Sequence, residues 1–345
     1  MAEIGIIGAG SWGSALAVHL HKLGNHITVW SCIESEIKEL KETHENKSKL
    51  PGVILADDIE FTCDLEASMK NKEVLVLAVP SPFIRSTAHK MAEFIKDGQK
   101  VVNVAKGIEE NTLMTMSQII EEELKVADVA VLSGPSHAEE VGRGIPTMIV
   151  VGSKKKESAV YLQDLFMSES FRVYISSDVL GIEIGAALKN VVALAAGVAD
   201  GLGYGDNTKA ALITRGIAEI ARLGISMGGR IETFYGLTGI GDLIVTCASM
   251  HSRNRRAGIL IGKGATMEEA MQEVSMVVEG VYSAKAGYLL SQKYHVSMPL
   301  VETTNKVLFE SYNPADAVKE LMLRDKKIEN LDLRELYQNS IEIDW

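Results

Sequence analysis

The chain has 345 residues, 46% hydrophobic and 23% charged, with a formal net charge of −11. That length exceeds one ordinary core and fits two globular domains, and the composition excludes a disordered chain. Three scattered cysteines exclude a disulfide framework, and the acidic balance argues against a nucleic-acid partner, whose binders carry a basic face.

A cytoplasmic, reducing setting is expected from the cysteine usage. No secretory signal is expected, because a strand pattern begins at Glu3. No membrane span is expected either. The longest apolar stretch, 185–199, is interrupted by Lys189 and Asn190 and is too short to cross a bilayer.

In chain order, 3–8 (EIGIIG) predicts a strand. Apolar positions at helical spacing over 14–23 predict a helix that stops at Gly24. Further strands are predicted at 26–30 (HITVW), 74–79, 100–104, 129–132 and 147–151, with a helix over 82–95. Continuous Val/Ile/Leu runs separated by helices indicate a mostly parallel, doubly wound sheet covered on both faces. Beyond Asp178 no strand pattern appears. Helical patterns fill 183–199, 208–227, 267–274 and 283–292. The expected domains are 1–178 (α/β), 179–330 (all-α) and a charged tail, 331–345.

Gly8-Ala9-Gly10-Ser11-Trp12-Gly13 is a GxGxxG that directly follows a strand and opens a helix. Gly8 permits the tight turn, Gly10 lets backbone approach a pyrophosphate, and Gly13 lets helix and strand pack closely. The helix N-terminus presents free N–H groups to the anion. This is the pattern of a dinucleotide-binding Rossmann domain; the alternative is a glycine-rich turn without a ligand. The second strand normally ends in an acid that reads a ribose 2′-hydroxyl or a cation that reads a 2′-phosphate. Here 30–34 reads Trp-Ser-Cys-Ile-Glu, which does not choose between NAD and NADP.

Three clusters in the second half carry chemistry. Lys189-Asn190 lies inside an apolar helix, where desolvation lowers an ammonium pKa and suits proton exchange with a carbonyl/alcohol pair; the alternative is a lysine that reaches solvent. Asp242, after Gly239 and Gly241, would orient Lys189, bind a hydroxyl or cap a helix. Ser252-Arg253-Asn254-Arg255-Arg256 offers guanidinium forks that match phosphate oxygens, or a solvated basic face. In the first half, Lys106-Gly107 and Gly134-Pro135-Ser136-His137 follow strand ends, where open sheets bind ligands. Cys247 and His251 are four apart with no further ligand pair, so no metal site is expected.

Together, GAGSWG (8–13), AKG (105–107), SGPSHAEEV (133–141), LKNV (188–191), DGLGYGDNTKAALITRG (200–216), GDL (241–243), TC (246–247), SRNRR (252–256) and VVEG (277–280) resemble the NAD(P)-dependent glycerol-3-phosphate dehydrogenases, over about residues 4–323. The resemblance implies that Lys189 is the general acid/base, with Asn190, Asp242 and Thr246 beside it. It implies substrate contacts at Lys106, Gly134, Ser136, Ser252, Arg253 and Asn254. It implies cofactor contacts at Ser11, Trp12, Lys106, Ala138, Arg253, Val277 and Glu279, a homodimer, and a supply of glycerol 3-phosphate for phospholipid synthesis. Three positions depart from the family pattern. Cys32 stands where a basic residue or His is frequent, near a 2′-phosphate. Lys49 replaces an aromatic or Arg and would supply the missing cation. His137 replaces a Phe. Two rivals stand beside this reading: a related dehydrogenase acting on a β-hydroxyacid or ketopantoate, and a non-catalytic NAD(P) sensor.

Overall fold

The computed structural model describes residues 1–326. The chain divides into two compact units. One comprises Met1–Gly107 and Met114–Val179; the other comprises Ile108–Leu113 and the chain from Leu180 onward. The expected tail, 331–345, lies outside the described residues.

The first unit holds strands β1 (Glu3–Ile7), β2 (His26–Trp30), β3 (Glu60–Thr62), β4 (Val74–Leu77), β5 (Lys100–Asn103), β6 (Asp128–Ser133), β7 (Thr147–Ser153) and β8 (Phe171–Ser176). They form one sheet in the order β3-β2-β1-β4-β5-β6-β7-β8. Neighbours run parallel except β6 and β7, which run antiparallel. The central strands have apolar side chains on both faces, and every residue of β4 and β6 is buried. The chain leaves β1 toward β2 and β3 on one side and then returns to β4 on the other. This reversal opens a crevice at the carboxyl ends of the strands, where open α/β sheets take ligands.

Two strands escaped the sequence reading for physical reasons. β3 is three residues long and buries only Phe61, too little for a period. β8 is an edge strand that alternates buried Phe171 and Val173 with exposed Arg172 and Tyr174. The helix expected over 82–95 is a 3-10 turn, Ser81–Phe83, running into a shorter helix, Ile84–Met91. Helices α1 (Ser11–Lys22) and α2 (Ala138–Gly142) pack on each other.

The second unit is helical, with no strand among its described residues. Its elements include α3 (Val179–Gly201), α4 (Asp206–Ser226), α5 (Asp242–Ala248), α6 (Arg253–Gly262), α7 (Glu279–Lys293) and α8 (Pro299–Phe309). At 23 residues, α3 is longer than the apolar stretch read from the sequence and passes the length and hydropathy test for a membrane span. Its most apolar window is 89% buried inside the fold. Ile184, Ala187, Leu188, Val191, Val192 and Leu194 are fully enclosed by neighbouring helices, so α3 is the core helix of this unit.

α3 and α6 cross at backbone distance. A Cβ added to Gly258 would lie 2.1 Å from the Leu194 carbonyl oxygen, and one on Gly197 would lie 2.1 Å from that of Arg255. Glycines four residues apart on each helix (197 and 201, 258 and 262) form the contact.

Candidate active site

In the first unit, β1 ends at Ile7, and Gly8, Ala9 and Gly10 lead into α1 at Ser11. Gly8 takes a φ of +127°, and a Cβ there would lie 2.7 Å from the Ala78 carbonyl carbon. A Cβ on Gly13 would lie 2.0 Å from the Gly8 carbonyl oxygen, so glycine is required where α1 meets β1. Gly10 faces open space. The first turn of α1 has no side-chain cap and no acidic residue. An approachable backbone, uncapped N–H groups and the positive end of the helix dipole suit a pyrophosphate. The buried Asn46 holds the turn: its Nδ2 donates to the Ala9 carbonyl at 2.7 Å. Sequence reasoning missed this residue, because its partner lies 37 positions away.

Ser11 opens α1, and Trp12 is half-buried against the core. Ala138 opens α2. Cys32 is an exposed thiol just beyond β2. Lys49 is ion-paired with Glu36, and Ser31 Oγ donates to the other oxygen of that carboxylate at 2.8 Å. Glu36 was also missed. Its sequence signal is faint: a serine at a strand end and an acid five residues on.

The loops after β5 and β6 meet. Lys106 Nζ donates to the Gly134 carbonyl at 3.1 Å, and Ser136 Oγ donates to the same oxygen at 2.9 Å. Gly134 has a φ of +150°, with the Ile149 Cα 3.1 Å from where a Cβ would stand.

In the second unit, Lys189 lies in the middle of α3, only 5% exposed, and Asp242 at the start of α5 is 1% exposed. Lys189 Nζ donates to Asp242 Oδ1 at 2.6 Å and to Thr246 Oγ1 at 2.6 Å. Thr246 Oγ1 donates in turn to the Asp242 carbonyl, one helical turn back, at 2.6 Å. A single π-helical turn, Leu237–Gly241, precedes Asp242. Such wide turns favour functional positions, because they re-aim the residue that follows. Lys189 therefore does not reach solvent, and Asp242 serves it rather than capping α5, whose N-cap is Gly241. Cys247, on the same helix, has its thiol pushed up to about 12 by burial and remains a neutral core residue.

The Ser-Arg-Asn-Arg run divides by task. Ser252 Oγ caps α6 by accepting from the Arg255 N–H at 3.2 Å. Arg255 Nε donates to Asp200 at 2.7 Å and its Nη1 to the Ala248 carbonyl at 2.6 Å, so this guanidinium is structural. Asn254 ties three helices: its Nδ2 donates to Asn190 Oδ1 at 2.9 Å, and its Oδ1 accepts from the Gly280 N–H at 2.8 Å. Asn190 Nδ2 reaches Glu279 Oε2 at 3.5 Å. Arg253, half-buried at the first position of α6, has a guanidinium without a protein partner among the described residues. Val277 lies half-buried just before α7, which Glu279 opens.

A doubly wound sheet with this glycine turn, and a helical unit holding a dry lysine–aspartate pair, define a two-domain dehydrogenase. The comparisons carry this to a family. Residues 3–159 match the model of the NAD-dependent glycerol-3-phosphate dehydrogenase N-terminus, and 178–319 that of the C-terminus. The chain is 64% identical to a glycerol-3-phosphate dehydrogenase [NAD(P)+] of Agathobacter rectalis, over 96% of this chain and 99% of that one. It is 62% identical to one of Fusobacterium nucleatum, over 95% and 99%. A solved glycerol-3-phosphate dehydrogenase from Coxiella burnetii superposes with a TM-score of 0.91 at 35% identity, covering 94% of this chain and 99% of that one. The chain belongs to the NAD-dependent glycerol-3-phosphate dehydrogenase family.

Proposed function

We propose that the chain reduces dihydroxyacetone phosphate to sn-glycerol 3-phosphate with NADH or NADPH, and catalyses the reverse, supplying glycerol 3-phosphate for glycerophospholipid synthesis. The observation that carries this is the buried Lys189–Asp242–Thr246 constellation. It holds one ammonium proton donor in fixed geometry inside a dry helical core.

Held on the Gly8–Gly13 turn, a nicotinamide cofactor would supply or accept the hydride. Lys189 Nζ hands a proton to the oxygen that becomes the alcohol, and takes it back in the reverse direction. Asp242 balances the charge and, with Thr246, fixes the direction of the N–H bonds. Arg253 holds the substrate phosphate, with Ser252 and Asn254 beside it, and this remote binding orients the carbonyl. Asn190 keeps Asn254 in register with α3. In the first unit, Gly8, Gly10, Ser11, Trp12 and Gly13 receive the dinucleotide, with Cys32, Lys49 and Ala138 along the same crevice. Lys106 serves both ligands, and Gly134 and Ser136 serve the substrate. Val277, Glu279 and Arg253 add the second unit's cofactor contacts. The first unit, Met1–Gly107 with Met114–Val179, acts as the dinucleotide domain expected over 1–178, and the second, which also takes Ile108–Leu113, as the substrate domain expected over 179–330.

A homodimer in the cytoplasm belongs to the same proposal. The dimer follows from the family resemblance, and the free, exposed Cys32 and Cys63 suit a reducing setting.

NADH oxidation measured with dihydroxyacetone phosphate, with ketopantoate and without substrate tests the reading. Oxidation is expected with the phosphorylated ketone alone. Turnover of ketopantoate instead would establish the carboxylate-acting rival, and no turnover of either would leave the sensor. Arg253→Ala is expected to raise KM for dihydroxyacetone phosphate by about 10- to 100-fold, the worth of one or two charged hydrogen bonds. An unchanged KM would remove Arg253 from the phosphate site.

A further inference from the structure

We infer that Glu36, clamped between Ser31 and Lys49 at the end of β2, makes this chain prefer NAD(H) over NADP(H). The inference rests on the proposed dehydrogenase reading and extends it to the choice of nicotinamide.

β2 runs parallel to β1 with Trp30 in register with Ile7, and the Gly8 N–H donates to the Trp30 carbonyl at 2.9 Å. Ser31 therefore follows β2 beside the point where the glycine turn leaves β1. In a doubly wound sheet this position faces the adenosine ribose. Ser31 is buried; its Oγ accepts from the Ile33 N–H at 3.2 Å and donates to Glu36 Oε2 at 2.8 Å. The other Glu36 oxygen takes Lys49 Nζ. The Glu36 side chain keeps 17% of its surface exposed and lines a recess with Ile33, Ser35, Lys38, Glu39, Glu42 and Ser48, three acids to one cation.

This arrangement treats the two cofactors differently. A ribose 2′-hydroxyl donates to the carboxylate and leaves the Lys49 pair in place. A 2′-phosphate brings about two negative charges to a carboxylate. To be neutralised there it must either draw on Lys38, already paired with Glu42 at 3.9 Å, or take Lys49 off Glu36, which strands that acid beside the phosphate. The helix Glu34–Thr43 adds to the repulsion, with Glu34, Glu36, Glu39 and Glu42 against Lys38 and Lys41. Lys41 lines a different recess, beside β3, with Thr28, His44 and Glu60. Cys32, next to Ser31, carries no cation.

Dissociation constants of NADH and NADPH for the full chain, measured without substrate by fluorescence of the reduced nicotinamide, test this. The wild type is expected to bind NADH at least about tenfold more tightly, the size of one charged hydrogen bond. Glu36→Gln frees Lys49 and removes the charge, so the preference is expected to shrink about tenfold or reverse. Lys49→Ala leaves the acid bare, so the preference is expected to widen. A merely structural pair would move both constants together and leave their ratio alone. Equal affinities, a preference for NADPH, or an unchanged ratio in the two variants would overturn the inference while leaving the dehydrogenase reading intact. Binding of neither nucleotide would overturn that reading and the inference with it.

Discussion

Lys189 and Asp242 sit 53 positions apart in the chain and 2.6 Å apart in space. A buried pair of this kind depends on both partners, because removing one strands the other charge in a low-dielectric core. Lys189→Ala is expected to lower kcat by about 10²- to 10⁴-fold, the usual share of general acid–base catalysis, with NADH affinity close to wild type. A near-normal kcat would remove Lys189 from the chemistry. The sequence marked the lysine as a cation amid Ala, Val and Leu, but left open whether it is buried or reaches solvent, and the fold places it 5% exposed. The division of labour in 252–256 was not. Ser252, Asn254 and Arg255 are spent on a cap, a three-helix tie and an ion pair, and only the folded chain sets Arg253 apart from them.

Glu219 shows the same limit in a residue outside the site. It lies in α4 with its carboxylate accepting from the Leu300 and Val301 N–H groups at the start of α8. Burial outweighs these bonds and the nearby Arg222, and raises its pKa from 4.5 to about 7. Below pH 4.5 the group is protonated in both the folded and unfolded chain. As pH rises toward 7 the unfolded chain loses its proton first, so stability falls, and above 7 the loss is complete. The full effect is about 3 kcal/mol. Glu219→Gln is therefore expected to gain stability relative to wild type between pH 4.5 and 7.5, measured as the difference in urea midpoint at the two ends. A difference that does not change with pH would contradict this.

Among the elements, those with a long, uninterrupted pattern were legible: β1, β2, α1 and α3 lie within a few residues of their expected bounds. β3 and β8 were not, because a three-residue strand and a half-exposed edge strand depend on pairing with neighbours rather than on their own period. The glycine turn was legible as a motif, and the atoms that make Gly8 and Gly13 obligatory, Ala78 and the turn's own carbonyl, appear only in the fold. The α3–α6 crossing has a weaker signal, two pairs of glycines four apart. It matters because α3 carries Lys189 and Asn190 while α6 begins with Arg253 and Asn254. Gly258→Ala is expected to cost about 1–3 kcal/mol through overpacking and to lower kcat/KM, because α6 must move off α3. Unfolding and kinetics both at wild-type values would show that the crossing is looser than the distances imply.

For the whole molecule, each unit carries its own half of the proposed chemistry: a dinucleotide turn on the sheet, and a proton donor with a phosphate-binding arginine on the helices. The fold class was legible from the change in pattern near Asp178. The capture of Ile108–Leu113 by the helical unit was not, since nothing local marks a short excursion between units. The two halves are proposed to serve one reaction. The most direct test is to incubate the chain with NADH and dihydroxyacetone phosphate, then assay the product with a stereospecific method. The result expected is sn-glycerol 3-phosphate formed in a one-to-one ratio with the NADH consumed. NADH consumption without that product, or the opposite enantiomer, would contradict the account.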